Sequence, residues 1–121
     1  MAKNLEIAGL LDCYGEMLTQ KQHDFLDYYY NEDLSLSEIA ANEGITRQGV
    51  RDAIKRAETQ LFEMESKLGL VRRFEEIKQG LNEIAEYADL INAYNLRHSL
   101  SREVNEYSVK IKAVSQILLD K

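Results

Sequence analysis

Across 121 residues the chain contains no proline and only six glycines, and this shortage constrains its fold more than any motif does. Proline and glycine are the residues that most readily end helices and mark the turns between strands. A chain that lacks the first and nearly lacks the second, and in which Ala, Leu, Glu, Lys, Gln and Ile dominate, favours helix throughout. The expected fold class is all-α. The length suits one domain, or a compact domain with a helical extension, with an ordinary core.

The few breaks carry the element boundaries. A first helix is expected from about Leu5 to Met17, turning Leu5, Ala8, Leu11 and Leu18 inward. Thr19 followed by Gln22 has the capping-box form, in which the hydroxyl oxygen accepts from a first-turn N–H and the glutamine reaches back. It opens a second helix to about Tyr30, with Phe25, Leu26 and Tyr29 as core, ended by Asn31, Glu32 and Asp33. Ser35 with Glu38 is another capping box, opening a short helix that buries Leu36, Ile39 and Ala40 and closes at Gly44. Thr46 then caps a longer helix whose buried stripe is Val50, Ile54, Ala57 and Leu61, with Gly69 as the next stop.

Beyond Gly69 the apolar spacing becomes regular. Leu70, Phe74, Ile77, Leu81, Ile84, Ala88 and Ile91 repeat at 4-3-4-3-4-3. After a polar link in which Ser99 or Ser101 can cap, Leu100, Val104, Tyr107, Ile111, Val114 and Leu118 repeat at 4-3-4-3-4. Two heptad stripes joined by a short link predict a helical hairpin. The expected organisation is a helix-turn-helix bundle over residues 1–68, with its core at 35–61, and a C-terminal helical hairpin over 69–121 that packs or dimerises. Gly80, inside the first tail helix, marks close packing or a bend in this reading.

Charge is distributed unevenly. The net charge is -6, yet residues 1–43 hold two lysines against nine carboxylates, whereas residues 44–73 hold seven Lys or Arg against four. The positive excess therefore coincides with the helix-glycine turn-helix stretch, the layout in which a second helix enters the DNA major groove. With Val50, Ile54 and Ala57 inward, Arg47, Gln48, Arg51, Asp52 and Lys55 face outward on its first turns. Arginine can pair bidentately with guanine and glutamine with adenine. Thr46 and the free N–H groups of the first turn suit a phosphate, and Gly49 lets backbone approach closely. The candidate nucleic-acid-binding residues are Thr46, Arg47, Gln48, Arg51, Lys55 and Arg56.

Residues 19–61, LTQKQHDFLDYYYNEDLSLSEIAANEGITRQGVRDAIKRAETQL with the leucine before them, resemble region 4 of bacterial sigma factors in the order of cap, helix, acidic turn, "SLSEIA", glycine turn and "TRQGV" helix. The whole chain, with its length, its lone Cys13 and its helical tail, resembles the YlxM family of small helix-turn-helix proteins. That resemblance implies a regulatory role, with DNA or RNA as partner, in the signal recognition particle pathway. It also leaves room for a protein-interaction module that contacts the particle's protein or RNA without reading DNA. Asp52 and Glu58 dilute the basic face relative to the sigma pattern.

Three or four phosphates neutralised by one such helix give a slope of roughly -3 to -4 in log K against log salt, a weak grip for a monomer. A DNA reader of this kind is therefore expected to be a homodimer. If the tail helices bury each other, the dimer needs a second face, for which Tyr87, Leu90, Tyr94 and Ile117 are candidates.

Other chemistry has little support in the sequence. No phosphate-binding glycine loop, nucleophile elbow or paired-histidine motif is present, so no enzyme activity and no cofactor are expected. His23 and His98 lack partners at ligand spacing, so no metal is expected. Cys13 has no basic neighbour to activate it and reads as a small buried hydrophobe. Tyr28 and Tyr30 read as half-exposed neighbours of a core Tyr29, with hydroxyls in water. The N-terminus lacks the pattern of a secretory signal, and no apolar run approaches the roughly 18 residues of a membrane span. A cytoplasmic protein without membrane insertion is expected.

Overall fold

The structure, a computed structural model, describes residues 2–120. Six α-helices account for most of the chain: α1 (Glu6–Tyr14), α2 (Gln20–Leu26), α3 (Leu36–Glu43), α4 (Arg47–Leu68), α5 (Leu70–His98) and α6 (Arg102–Leu119). There is no strand among the described residues. The fold is all-α, and its contacts separate into two compact units, Met1–Val71 and Arg72–Lys121.

In the first unit α4 is the axis on which α1, α2 and α3 pack. Val50, Ile54, Ala57 and Leu61 of α4 are each fully buried, and they meet Phe25 and Leu26 of α2 and Leu36, Ile39 and Ala40 of α3 in one core. The caps explain why the helices begin where they do. Thr19 accepts from the Gln22 amide and Ser35 from that of Glu38, and in both cases the third residue's side chain accepts from the capping residue's own N–H. Gly44 (φ 68°) and Gly69 (φ 63°) take the left-handed conformation past α3 and α4, where glycine pays no Cβ penalty.

The face of α1 differs from expectation. Leu5 is 93% exposed and Ala8 is also exposed, while Ile7, Leu10, Leu11 and Tyr14 form the buried side. The reason is that α1 carries apolar residues on several sides, and the one face that also brings Tyr14 to α4 is selected. The Tyr14 hydroxyl donates to Glu65 Oε1 at 2.6 Å and accepts from the Leu70 amide at 3.0 Å, while Glu65 also accepts from the Val71 amide. The α4–α5 junction is thus tied to α1. Cys13, half-buried beside this network, has its thiol pushed up by burial and by the nearby Glu65 carboxylate. After α2 the chain continues in a wide π turn, Asp27–Asn31, which buries Tyr29. Tyr30 also departs from expectation, because its hydroxyl donates to Glu58 Oε1 at 2.5 Å instead of resting in water.

In the second unit α5 and α6 run antiparallel, joined at Ser99 and Leu100. Ser101 caps α6 by accepting from the Val104 amide, and the Asn95 side chain holds both the N–H and the carbonyl of Ser101 at 2.8 and 2.7 Å. The seam between the helices is not the expected heptad stripe. Its buried members are Ala85, Ala88, Asn95, Ser108 and Ser115. Asn92 reaches across to Asn105 and Ser108, and Lys112 pairs with Asp89 at 2.9 Å. Of the two predicted stripes only Ala88 is buried, and Phe74, Ile77, Ile84, Ile91 and the whole of the α6 stripe are exposed.

Small and polar side chains let the two backbones approach, and the large apolar ones are turned to one flank. Successive helical residues are rotated by about 100°, so Ile84, Tyr87, Ile91 and Tyr94 lie on one side of α5. Val104, Tyr107, Ile111, Val114 and Leu118 lie on the corresponding side of α6. Because the helices are antiparallel, both sets share one face of the hairpin. A groove of about 400 Å³ lined by Leu90, Ile91, Tyr94 and Val104 runs along it. The opposite face is the polar one, carrying the Asp89–Lys112 pair. At Gly80 the helix continues without interruption and nothing lies within 4 Å of where a Cβ would stand, so neither close packing nor a bend explains this residue.

Candidate nucleic-acid interface

The candidate interface is assembled from α3, its glycine turn and the first half of α4. Gly44 turns the chain, and Thr46 starts α4 by accepting from the Gly49 amide at 3.0 Å. A Cβ on Gly49 would stand 3.1 Å from that same Thr46 Oγ1. Glycine here serves the tight cap, a role that spacing alone had read as backbone approach to a ligand.

Burial of one face of α4 leaves the other face in solvent. Thr46, Arg47, Gln48, Arg51, Lys55 and Arg56 are all exposed. The four cations among them make no ion pair among the described residues. Lys3, Lys110 and Lys112, by contrast, pair with Asp33, Glu106 and Asp89, whereas exposed cations without an ion pair among the described residues, such as Lys67, Lys78 and Arg102, also occur singly elsewhere. Holding four unpaired positive charges over three turns carries a self-repulsion that a polyanion relieves.

Two carboxylates modify this field. Asp52 accepts a hydrogen bond from Gln48 Nε2 at 3.0 Å, one turn along the helix. Glu58 is half-buried and accepts from Tyr30, so its carboxylate is drawn towards the π turn that follows α2. Sequence reasoning missed one neighbour: Lys21, with Thr19 and Gln22 at the start of α2, lines a depression of about 250 Å³ together with Ala53 and Arg56. The signal for it was the Thr19 capping box, which places the first turn of α2 at the surface. The proposed dimer residues Tyr87, Leu90, Tyr94 and Ile117 are each about 60% exposed. Ile117, next to Leu118 in sequence, lies about 100° round α6 from it and off the apolar face.

Among the described residues, no three His, Cys, Asp or Glu side chains are grouped so as to hold a metal ion, and no helix is long and apolar enough to cross a membrane. The family model described as "Putative helix-turn-helix protein, YlxM / p13 like" matches residues 1–93. The chain belongs to that family. It is similar to a UPF0122 protein of Desulforamulus reducens, with 41% identity over 112 residues, covering 93% of this chain and 89% of the relative. A UPF0122 protein of Acetivibrio thermocellus is 51% identical over 84 residues, covering 69% and 72%. One from Thermoanaerobacter sp. is 38% identical over 106 residues, covering 88% and 91%. α3, the Gly44 turn and the start of α4 lie within the matched residues and have the helix, glycine turn and helix layout.

Proposed function

We propose that this chain is a small regulatory nucleic-acid-binding protein of the cytoplasm that reads duplex DNA with the first three turns of α4. The observation that carries the reading is the exposed, unpaired set Arg47, Arg51, Lys55 and Arg56 on a helix whose opposite face is sunk in the core. Arg47, Gln48 and Arg51 supply the base-edge donors, while Thr46, Lys55 and Arg56 hold the backbone. Such a reader works as a homodimer, because one helix grips only three or four phosphates. A role in the signal recognition particle pathway, with the particle's RNA as another polyanion for the same face, follows from the family resemblance.

A second reading is favoured by one contact. Gln48 gives its amide to Asp52, which brings a carboxylate onto the reading face. That arrangement suits a protein-interaction module contacting particle components. Arg47→Ala with Arg51→Ala separates the two. The DNA reading expects duplex binding to fall at least tenfold, by fluorescence anisotropy, with helicity and mass unchanged. Unaltered duplex binding removes α4 as the reader. Capture of particle proteins that survives both the substitutions and nuclease treatment supports the second reading.

A further inference from the structure

We infer that the apolar face of the α5–α6 hairpin is the contact surface for a second copy of this chain, pairing face to face into a four-helix bundle. This rests on the homodimer named above and specifies its surface. The face carries its own seam. Ile84, Tyr87, Ile91 and Tyr94 are spaced 3-4-3, and Val104, Tyr107, Ile111, Val114 and Leu118 are spaced 3-4-3-4. That is the spacing of knobs that enter holes on a facing helix. Here it points away from the helix each already touches, whose contact is made by alanine, serine and asparagine. The occupant must therefore be helical, apolar and of matching length, and the same face on another copy fulfils all three conditions in an isologous two-fold contact.

Size and charge agree with this occupant. The nine side chains are between 37% and 61% exposed, so at roughly 100 Å² each their complete cover would bury up to about 900 Å² per chain. One side of a standard interface buries about 800 Å². Residues 72–121 hold eight basic and eight acidic residues, so two hairpins meet without net repulsion. Among the described residues the first unit exposes fewer large apolar side chains, Leu5, Met17, Ile45, Phe62, Leu68 and Leu70, and they are scattered along the chain with no heptad spacing.

The test is the mass of the full chain in solution, measured by light scattering across the micromolar range without nucleic acid. The wild type is expected at twice 14.0 kDa. Ile91→Glu with Ile111→Glu, both already solvent-exposed and so compatible with a folded monomer, raises the dissociation constant at least about a hundredfold. Val109→Glu, on the polar face, leaves the dimer intact. A mass of 14.0 kDa throughout overturns the inference. A dimer that withstands the seam pair, with circular dichroism confirming that the variant is folded, also overturns it. Because no nucleic acid is present, this outcome is independent of whether α4 reads DNA.

Discussion

Tyr14 and Tyr30 each donate a hydroxyl to a glutamate of α4, Glu65 at 2.6 Å and Glu58 at 2.5 Å. Burial first, and then the hydrogen bond to a carboxylate, raise both phenols above their ordinary value. A phenol whose pKa is raised by folding contributes stability that is whole below the unfolded value near 10 and is lost as the pH climbs beyond it. Tyr30→Phe should therefore cost about 1–2 kcal/mol at pH 7, read from urea midpoints. The gap between variant and wild type should narrow as the pH rises past 10, and a gap that stays constant to pH 11 contradicts a protonated donor. These bonds were not legible in the sequence. Tyrosine beside tyrosine says that a boundary is near, but each partner lies on another helix, 51 or 28 residues along the chain.

At the scale of elements, the caps and glycine stops were legible because they are local chemistry. Ser35, Gly44, Thr46 and Gly69 bound α3 and α4 where their side chains, or the lack of one, require. The buried stripe of α4 was legible too, since a helix in contact with three others has one periodic solution. Gly44→Ala isolates the conformational contribution, because nothing lies within 4 Å of the added Cβ and only the positive φ opposes it. A loss of about 1 kcal/mol is expected in thermal or urea unfolding; a neutral result would place the strain elsewhere. The tail is the expected hairpin, but its inner seam was misread for a physical reason. An apolar stripe records which side of a helix leaves water, and it does not record whether the cover comes from the adjoining helix or from another chain. The true inner seam, Ala85, Ala88, Asn95 and Ser108, was hidden because small and polar residues look like surface. On α1 the register slipped for lack of contrast among Leu5, Ile7, Ala8, Leu10 and Leu11.

At the scale of the whole molecule, an acidic chain clusters four exposed cations on the first three turns of one helix and most of its exposed large apolar side chains on one hairpin. Pairing two chains would double the number of basic helices available to a duplex. The dependence of log K on log salt should then have a slope of about -6 to -8 for the dimer, and about -3 to -4 for the Ile91→Glu, Ile111→Glu monomer. Titrations at several salt concentrations measure both, and equal slopes would mean that only one α4 of the pair meets DNA. The arrangement of the tyrosines also has an optical consequence. The chain has seven tyrosines and no tryptophan, and Tyr14 and Tyr30 are bonded to carboxylates, which quench phenol emission. Three of the other five, Tyr87, Tyr94 and Tyr107, stand exposed on the hairpin's apolar face, Tyr94 with its ring 4.2 Å from that of His98. Part of the protein's native fluorescence thus comes from that face and changes, without a label, when the face is covered.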